Sequence, residues 1–186
     1  MHLYIKNMVC NRCILVVQQE LDKLNIDSSK VTLGEVETTS EIPKEKIERL
    51  EKNLDALGFE LLDNSRQQLI EKIKNIIIQQ VHHTQEENIH NYSEIISKAL
   101  HKDYSYLSSL FSEVEGITIE KYLINQKIAK VKELIIYDEL SLSEIAYQLG
   151  YSSVAHLSNQ FKKVTGLTPS HFKKIGENKR KPLDKI

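Results

Sequence analysis

The 186-residue sequence contains no tryptophan, two cysteines, three prolines and six glycines. The cysteines, Cys10 and Cys13, lie three positions apart and cannot join distant parts of a fold, so a disulfide-stapled secreted domain is excluded. No apolar run approaches the roughly 20 residues that a membrane span requires, and the first residues lack the apolar segment of a signal peptide. We therefore expect a globular cytoplasmic protein that does not enter a membrane.

Patterns that catalysis requires are also missing. No phosphate-binding glycine loop, pair of carboxylates, or nucleophile with a base and an orienting group stands out. The adjacent His82 and His83 have no partner at metal-ligand spacing, so we interpret them as surface or helix-capping residues. The sequence therefore predicts a protein that is not an enzyme.

The net charge of −1 conceals two unequal halves. Residues 1–89 carry 11 basic and 15 acidic side chains, whereas residues 90–186 carry 14 and 11. The basic residues of the second half concentrate near its end, at Lys162, Lys163, Lys173, Lys174, Lys179, Arg180, Lys181 and Lys185. Such a cluster suits a phosphate backbone, although a solvated basic tail would have the same composition.

Strand-like and helix-like patterns alternate over the first 63 residues. A short apolar run precedes apolar residues at helical spacing, and Pro43 is suited to the first turn of a second helix. Between these helices, residues 31–38 alternate with period two but slip at Gly34, which fits either a tight hairpin or one bulged strand. This order predicts a small β-α-β-(β)-α-β domain over residues 1–63.

Helical patterns follow one another from residue 64 onward, which predicts an all-α domain. Residues 93–100 and 141–149 both look like serine-capped helices with aliphatic inner faces, and each precedes a turn and a second helix that ends in phenylalanine. In the later pair, Val154, Leu157 and Phe161 recur at three and four positions. The face left outward comprises Ala155, His156, Ser158, Asn159 and Lys162. The pattern indicates a helix-turn-helix, while an αα-hairpin in a helical bundle would share it.

Residue types and spacings in this region resemble the AraC/XylS family of transcription regulators. They are Ile145-Ala146, Leu149-Gly150-Tyr151, His156-Leu157-Ser158, Phe161-Lys162-Lys163, Gly166, Thr168-Pro169 and Phe172. The similarity extends back to about residue 65, and in that family a long helix joins two helix-turn-helix units that enter successive major-groove turns. The resemblance implies a joining helix at about Ile119 to Tyr137. It also implies binding to double-stranded promoter DNA, with a second copy of the chain and RNA polymerase left open as further partners.

The same resemblance implies which residues contact DNA. They are Ser105, Ser108 and Ser109 in the first unit, and Ala155, His156, Ser158, Asn159, Lys162 and Lys163 in the second. Lys127 in the joining helix is expected to contact phosphate or to pack structurally. Because the predicted base-facing residues include no arginine for a bidentate contact to guanine, specificity in the first unit is expected to be low or to depend on DNA shape and phosphate contacts. Acidic Glu113 and Glu115 are unusual beside a DNA-binding unit.

Cys10 and Cys13 lie between the first strand and the first helix, where the helix dipole and Arg12 favour thiolates. Two thiolates suit a soft ion. The segment from Met8 to Cys13 resembles the metal-binding loop of heavy-metal-associated domains, with Asn7 and Val9 departing from that pattern. The resemblance implies a ferredoxin-like fold and a ligand such as Cu(I), while dimer contacts, another ligand or a thiol-redox switch are the alternatives.

The predicted architecture is thus an α+β ferredoxin-like domain over residues 1–63, followed by an all-α domain over residues 64–186 with two helix-turn-helix units and a basic tail. The leading functional hypothesis is a sequence-specific transcription regulator whose N-terminal domain senses a ligand or dimerises. The alternative is a metal-binding or thiol-redox protein with a helical partner-binding module. A purely structural helical adaptor is the third hypothesis.

Overall fold

The computed structural model describes residues 1–62, 65–83 and 91–179, and the chain divides into two compact units. The first unit comprises Met1–Ile78 with Ile96–Gly116, and the second comprises Gln79–Ile95 with the chain from Ile117 onward. The predicted boundary between residues 63 and 64 lies outside the described residues. So do Arg180, Lys181 and Lys185 of the predicted basic tail.

An antiparallel sheet with two helices forms the N-terminal part of the first unit. Its elements are β1 (His2–Lys6), α1 (Asn11–Lys23), β2 (Ser28–Thr32), β3 (Glu35–Thr38), α2 (Lys44–Ala56) and β4 (Glu60–Leu62). The strand order is β2-β3-β1-β4. Apolar side chains of the strands and of both helices form one core, which includes Leu3, Ile5, Met8, Val17, Leu21, Ile26, Val36, Leu50, Leu54 and Phe59. The order of elements is the one that the hydrophobic pattern predicts.

A tight hairpin joins β2 to β3, which decides between the two alternatives that the sequence leaves open. The turn residues are Leu33 and Gly34, and Gly34 adopts a φ of 77°, in the left-handed region where a side chain is strained. A Cβ atom on Gly34 would also lie 2.0 Å from Nδ2 of Asn75, which donates a hydrogen bond to the Leu33 carbonyl. The slip in the pattern therefore corresponds to the hairpin turn, and a separate register shift in the pairing of β2 with β3 lies between Ser28 and Lys30.

A third helix, α3 (Ser65–Ile78), packs against β1 and β4. It contacts the sheet face opposite to the core, because Tyr4 alternates with the buried Leu3 and Ile5 and interacts with Lys72 of α3. The ammonium of Lys72 donates a hydrogen bond to the Tyr4 hydroxyl at 3.1 Å and lies 4.5 Å from the centre of the ring. The helix thereby attaches directly to the sheet.

Helices make up the rest of the described chain. They are α4 (Tyr92–Leu100), α5 (Tyr104–Glu115), α6 (Ile119–Tyr137), α7 (Leu142–Gln148), α8 (Val154–Thr165) and α9 (Pro169–Lys179). The bounds of α6 are those expected for the joining helix. Among the described residues, no helix is long and apolar enough to cross a membrane.

The second unit has a core of its own, to which α6, α7 and α8 all contribute. It comprises Ile128, Val131, Ile135, Ile145, Ala146, Leu149, Tyr151, Leu157 and Phe161. Ser141 caps α7 as the sequence predicts: its hydroxyl accepts a hydrogen bond from the Glu144 N–H, and the Glu144 carboxylate accepts one from the Ser141 N–H. The expected cap of α4 is wrong, because Oδ1 of Asn91, rather than Ser93, accepts from the backbone N–H of Glu94.

The interpretation of His82 as a surface or capping residue is also wrong. His82 lies in a π-helical turn over Gln79–His83, and its side chain is 19% exposed. Its Nε2 atom lies 3.0 Å from the side-chain oxygen of Gln126 on α6. Burial lowers the pKa of His82, and nearby Lys130 acts in the same direction. The adjacent His83 is exposed.

Candidate nucleic-acid interface

Two helices of the same design, α5 and α8, carry most of the residues predicted to contact DNA. Each has 12 residues, and α8 begins 50 positions after α5. Each begins after a side chain that accepts a hydrogen bond from the first turn, Asp103 or Ser153, and each ends at a glycine in the left-handed conformation, Gly116 or Gly166. The 50-residue offset therefore relates equivalent positions in the two helix-turn-helix units.

The second helix, α8, presents a polar surface beside a buried one. Leu157 and Phe161 are fully buried, which fixes the rotation of the helix about its axis. Of the residues predicted to contact DNA, Ser158 is half-buried and the exposed ones are Ala155, His156, Asn159, Lys162 and Lys163. Imidazole and amide groups form hydrogen bonds with base edges, and the two lysines suit phosphate oxygens. One helix face thus combines groups for both kinds of contact.

The first helix, α5, offers fewer free donors. Ser105 and Ser109 are exposed and Ser108 is half-buried. The hydroxyl of Ser105 donates a 2.6 Å hydrogen bond to Oδ1 of Asp103, and this bond, together with one from the Ser105 backbone, lowers the pKa of the Asp103 carboxyl. Because its proton is used in the helix cap, Ser105 is a weaker candidate for base contact than its position implies.

Tyr106 is a candidate that the sequence pattern did not reveal. It stands 50 positions before His156, its side chain is 51% exposed, and the ammonium of Lys102 lies 5.9 Å from the centre of its ring. An aromatic ring beside a cation suits a thymine methyl group together with a nearby phosphate. The signal that could have identified it is the offset itself, since His156 was already assigned to the outward face.

Glu113 and Glu115 of α5 form ion pairs with residues of α3. Glu113 occupies the position equivalent to Lys163, and its carboxylate lies 2.7 Å from the guanidinium of Arg66 on α3. The ammonium of Lys74, also on α3, lies 2.7 Å from Glu115 and 3.0 Å from Glu71. These ion pairs attach α5 to α3. The end of α5 also has Ser112 and Glu113 at the positions equivalent to Lys162 and Lys163 of α8.

Lys127 lies in the second unit between two aromatic rings. Its ammonium is 5.3 Å from the ring centre of Tyr92 and 5.5 Å from that of Tyr151. Burial lowers the pKa of Lys127. Of the two roles expected for this residue, phosphate contact and packing, these contacts correspond to packing.

Cys10 and Cys13 form a separate candidate site at the N-terminus of α1. Cys10 immediately precedes the helix, and the two sulfur atoms lie 3.5 Å apart and half-buried. Hydrogen bonds from Cys13 lower the pKa of the Cys10 thiol, with a smaller contribution from Arg12. Over the described part of the chain, no three His, Cys, Asp or Glu side chains lie together as metal ligands. The pair therefore suits an ion that accepts two soft ligands.

Comparison with known proteins supports the helix-turn-helix assignment. Residues 96–175 match a family model described as "Helix-turn-helix domain". The Uncharacterized HTH-type transcriptional regulator YtdP of Bacillus subtilis (strain 168) is 28% identical over 101 residues, which are 54% of this chain and 13% of that protein. The Msm operon regulatory protein of Streptococcus mutans is 30% identical over 83 residues, which are 45% of this chain and 30% of that protein. The chain thus spans less than a third of the length of either relative.

A solved structure shows the same fold. It is a transcriptional regulator from Chromobacterium violaceum, described as containing an AraC-type DNA-binding domain, with 16% identity and a TM-score of 0.52. The match covers 61% of this chain and 96% of that one. Residues 96–175 therefore match a helix-turn-helix family model, and 61% of the chain shares the fold of that solved structure. The family match lies wholly after the sheet, so the resemblance of residues 1–63 to a heavy-metal-associated domain stays a prediction.

Proposed function

We propose that the chain is a sequence-specific DNA-binding transcription regulator. The observation that carries the proposal is the exposed face of α8, where His156, Asn159, Lys162 and Lys163 lie beside a fully buried apolar face. A helix with this division packs on its own domain through one side and offers the other to the major groove.

Two such units in one chain imply a divided binding site on the DNA. The 19-residue helix α6 joins them, and recognition helices in successive major-groove turns would contact half-sites about 10 base pairs apart. The second unit, with its two lysines, would supply most of the phosphate contacts. The first would contribute through Tyr106, Ser108 and Ser109. A regulator that binds promoter DNA would act in the cytoplasm, where RNA polymerase would be a further partner.

Substitutions on α8 separate base contacts from phosphate contacts. We expect His156→Ala and Asn159→Ala each to lower affinity for the best site by about 1–3 kcal/mol and to change the preferred base at one position. Lys162→Ala should weaken binding to all sequences alike and reduce the salt dependence by about one phosphate contact. Fluorescence anisotropy with a set of single-base variants of the site measures both effects.

Tyr137→Ala is the control, since Tyr137 is an exposed aromatic residue at the end of α6 and not on either recognition helix. It should leave affinity and base preference unchanged. If His156→Ala and Asn159→Ala weakened every sequence equally, the two residues would not contact bases.

The βαββαβ element order and the strand order β2-β3-β1-β4 support the proposal that the sheet domain is ferredoxin-like. The proximity of the Cys10 and Cys13 sulfurs favours a second candidate function, the sensing of a soft ion such as Cu(I). The chain itself contributes a pair of thiols, and hydrogen bonds from Cys13 lower the pKa of Cys10. A second copy of the chain is the other partner that this domain would bind.

Anaerobic Cu(I) titration against a competing chelator tests the ion site. The reduced protein should retain about one ion per chain, and a Cys10→Ser, Cys13→Ser double variant should retain none. The ion should also change DNA affinity or oligomeric state, because a ligand acts only through different affinities for two states. Equal retention by the two proteins would exclude the thiol site. Equal DNA affinity and equal oligomeric state with and without copper would exclude sensing.

A further inference from the structure

The imidazole of His156 is held by two residues of the turn before α8. The ring of Tyr151 meets the imidazole edge-on, with centres 5.3 Å apart and planes at 85°. The hydroxyl oxygen of Ser152 lies 3.1 Å from Nδ1 of the same imidazole. Edge-to-face ring contacts and hydrogen bonds both depend on orientation. Together they fix the direction in which the His156 ring points.

Tyr151 is itself immobilised on its other side. It is 8% exposed, and the Lys127 ammonium lies 5.5 Å from the centre of its ring. Its hydroxyl is buried and has no hydrogen-bond partner among the described residues, and burial raises the pKa of this phenol to about 12. An unpaired buried hydroxyl is unfavourable, so the favourable contacts of Tyr151 are those of its ring.

The contact with Ser152 leaves one nitrogen of His156 for the DNA. With Nδ1 engaged by the hydroxyl, Nε2 is the atom that can meet a base edge on the exposed face of α8. A ring already fixed in direction loses less rotamer freedom on binding than a freely rotating one. The expected result is a stronger and more base-specific contact.

The first helix-turn-helix unit lacks an equivalent of the Tyr151, Ser152 and His156 contacts. At the offset of 50 positions, His101 and Lys102 replace Tyr151 and Ser152, and Tyr106 replaces His156. Lys102 contacts the face of Tyr106 rather than holding a ring nitrogen. The trio of the second unit is therefore not required by the helix-turn-helix turn as such.

We propose that Tyr151 and Ser152 are positioning residues that orient His156 for contact with one base, and that Lys127 holds Tyr151 in place from α6. The proposal rests on the proposed DNA-binding function. It predicts that each turn residue acts on DNA only through His156. Substitution of a residue that merely stabilised the fold would weaken DNA binding equally in the wild type and in the His156→Ala variant.

A double-mutant cycle on DNA affinity tests this. In the wild-type background, Ser152→Ala and Tyr151→Leu should each weaken binding to the best site by about 3- to 10-fold. The preference should relax at the single base pair that His156→Ala also affects. In the His156→Ala background, neither change should weaken binding further. Tyr151→Phe, which keeps the ring and removes the unpaired hydroxyl, should retain both the affinity and the preference.

Thermal unfolding of each variant accompanies the cycle, and exposed Ser152 provides a substitution that leaves the core intact. Equal losses in the two backgrounds, losses spread over all base pairs, or loss of the preference in Tyr151→Phe would each overturn the positioning role. Absence of sequence-specific binding by the wild-type chain would instead refute the proposed function.

Discussion

Phe161→Ala is expected to lower the free energy of unfolding of the second unit by about 3–5 kcal/mol, the usual result of removing a buried ring. Phe161 is fully buried in the core that α6, α7 and α8 share, and its ring meets that of Phe172 edge-on with centres 5.6 Å apart. The resulting cavity lies directly beneath the exposed face of α8. DNA affinity should therefore fall with stability, as seen by denaturant unfolding and fluorescence anisotropy.

Two variants make this result specific. Phe161→Leu keeps most of the volume and should cost much less. Phe111→Ala removes the equivalent, fully buried ring of α5 in the first unit, so hydrogen exchange should show increased opening in that unit instead. If Phe161→Ala changed stability by less than about 0.5 kcal/mol, as surface substitutions do, the packing described for α8 would be incorrect.

Lys74→Met should destabilise the first unit by about 3 kcal/mol, at the lower end of the cost of breaking a buried ion pair. The Lys74 side chain is 14% exposed and lies between the carboxylates of Glu71 and Glu115. Desolvation by itself would lower the pKa of Lys74, but hydrogen bonds and Coulombic attraction to these carboxylates together raise it. Methionine would fill the same space but leave two carboxylates close together without a cation.

Hydrogen exchange of the amides of α3 and α5 measures this effect in the unit where it arises. Arg66→Met is the matched control, because its ion pair with Glu113 is largely exposed and should contribute less than about 1 kcal/mol. If Lys74→Met changed hydrogen exchange as little as Arg66→Met, Lys74 would not hold α5 against α3.

The features that could be predicted from the sequence are those that depend on local periodicity. The outward face of α8 followed from the spacing of Leu157 and Phe161, and the bounds of α6 followed from the resemblance to a family with a joining helix. The slip at Gly34 could not be resolved by pattern, because a hairpin and a bulged strand both interrupt period two. The left-handed φ of Gly34 and its closeness to Asn75 become visible only in the three-dimensional structure.

Features that depend on distant partners were missed. The partly buried His82 contacts Gln126, which lies 44 positions away in the chain. The acidic residues of α5 looked unsuited to DNA because Arg66 and Lys74, their partners on α3, are not close in sequence. The cap of α4 was misplaced by two positions because asparagine and serine both accept from a helix N-terminus.

The most direct test of sequence-specific DNA binding by the two helix-turn-helix units is selection of binding sites by the wild-type chain from a library of randomised DNA duplexes. We expect enrichment of a motif with two half-sites whose centres lie about 10 base pairs apart, and an affinity for it that falls steeply as salt increases. Recovery of unenriched, random sequences, or binding that does not respond to salt, would contradict it.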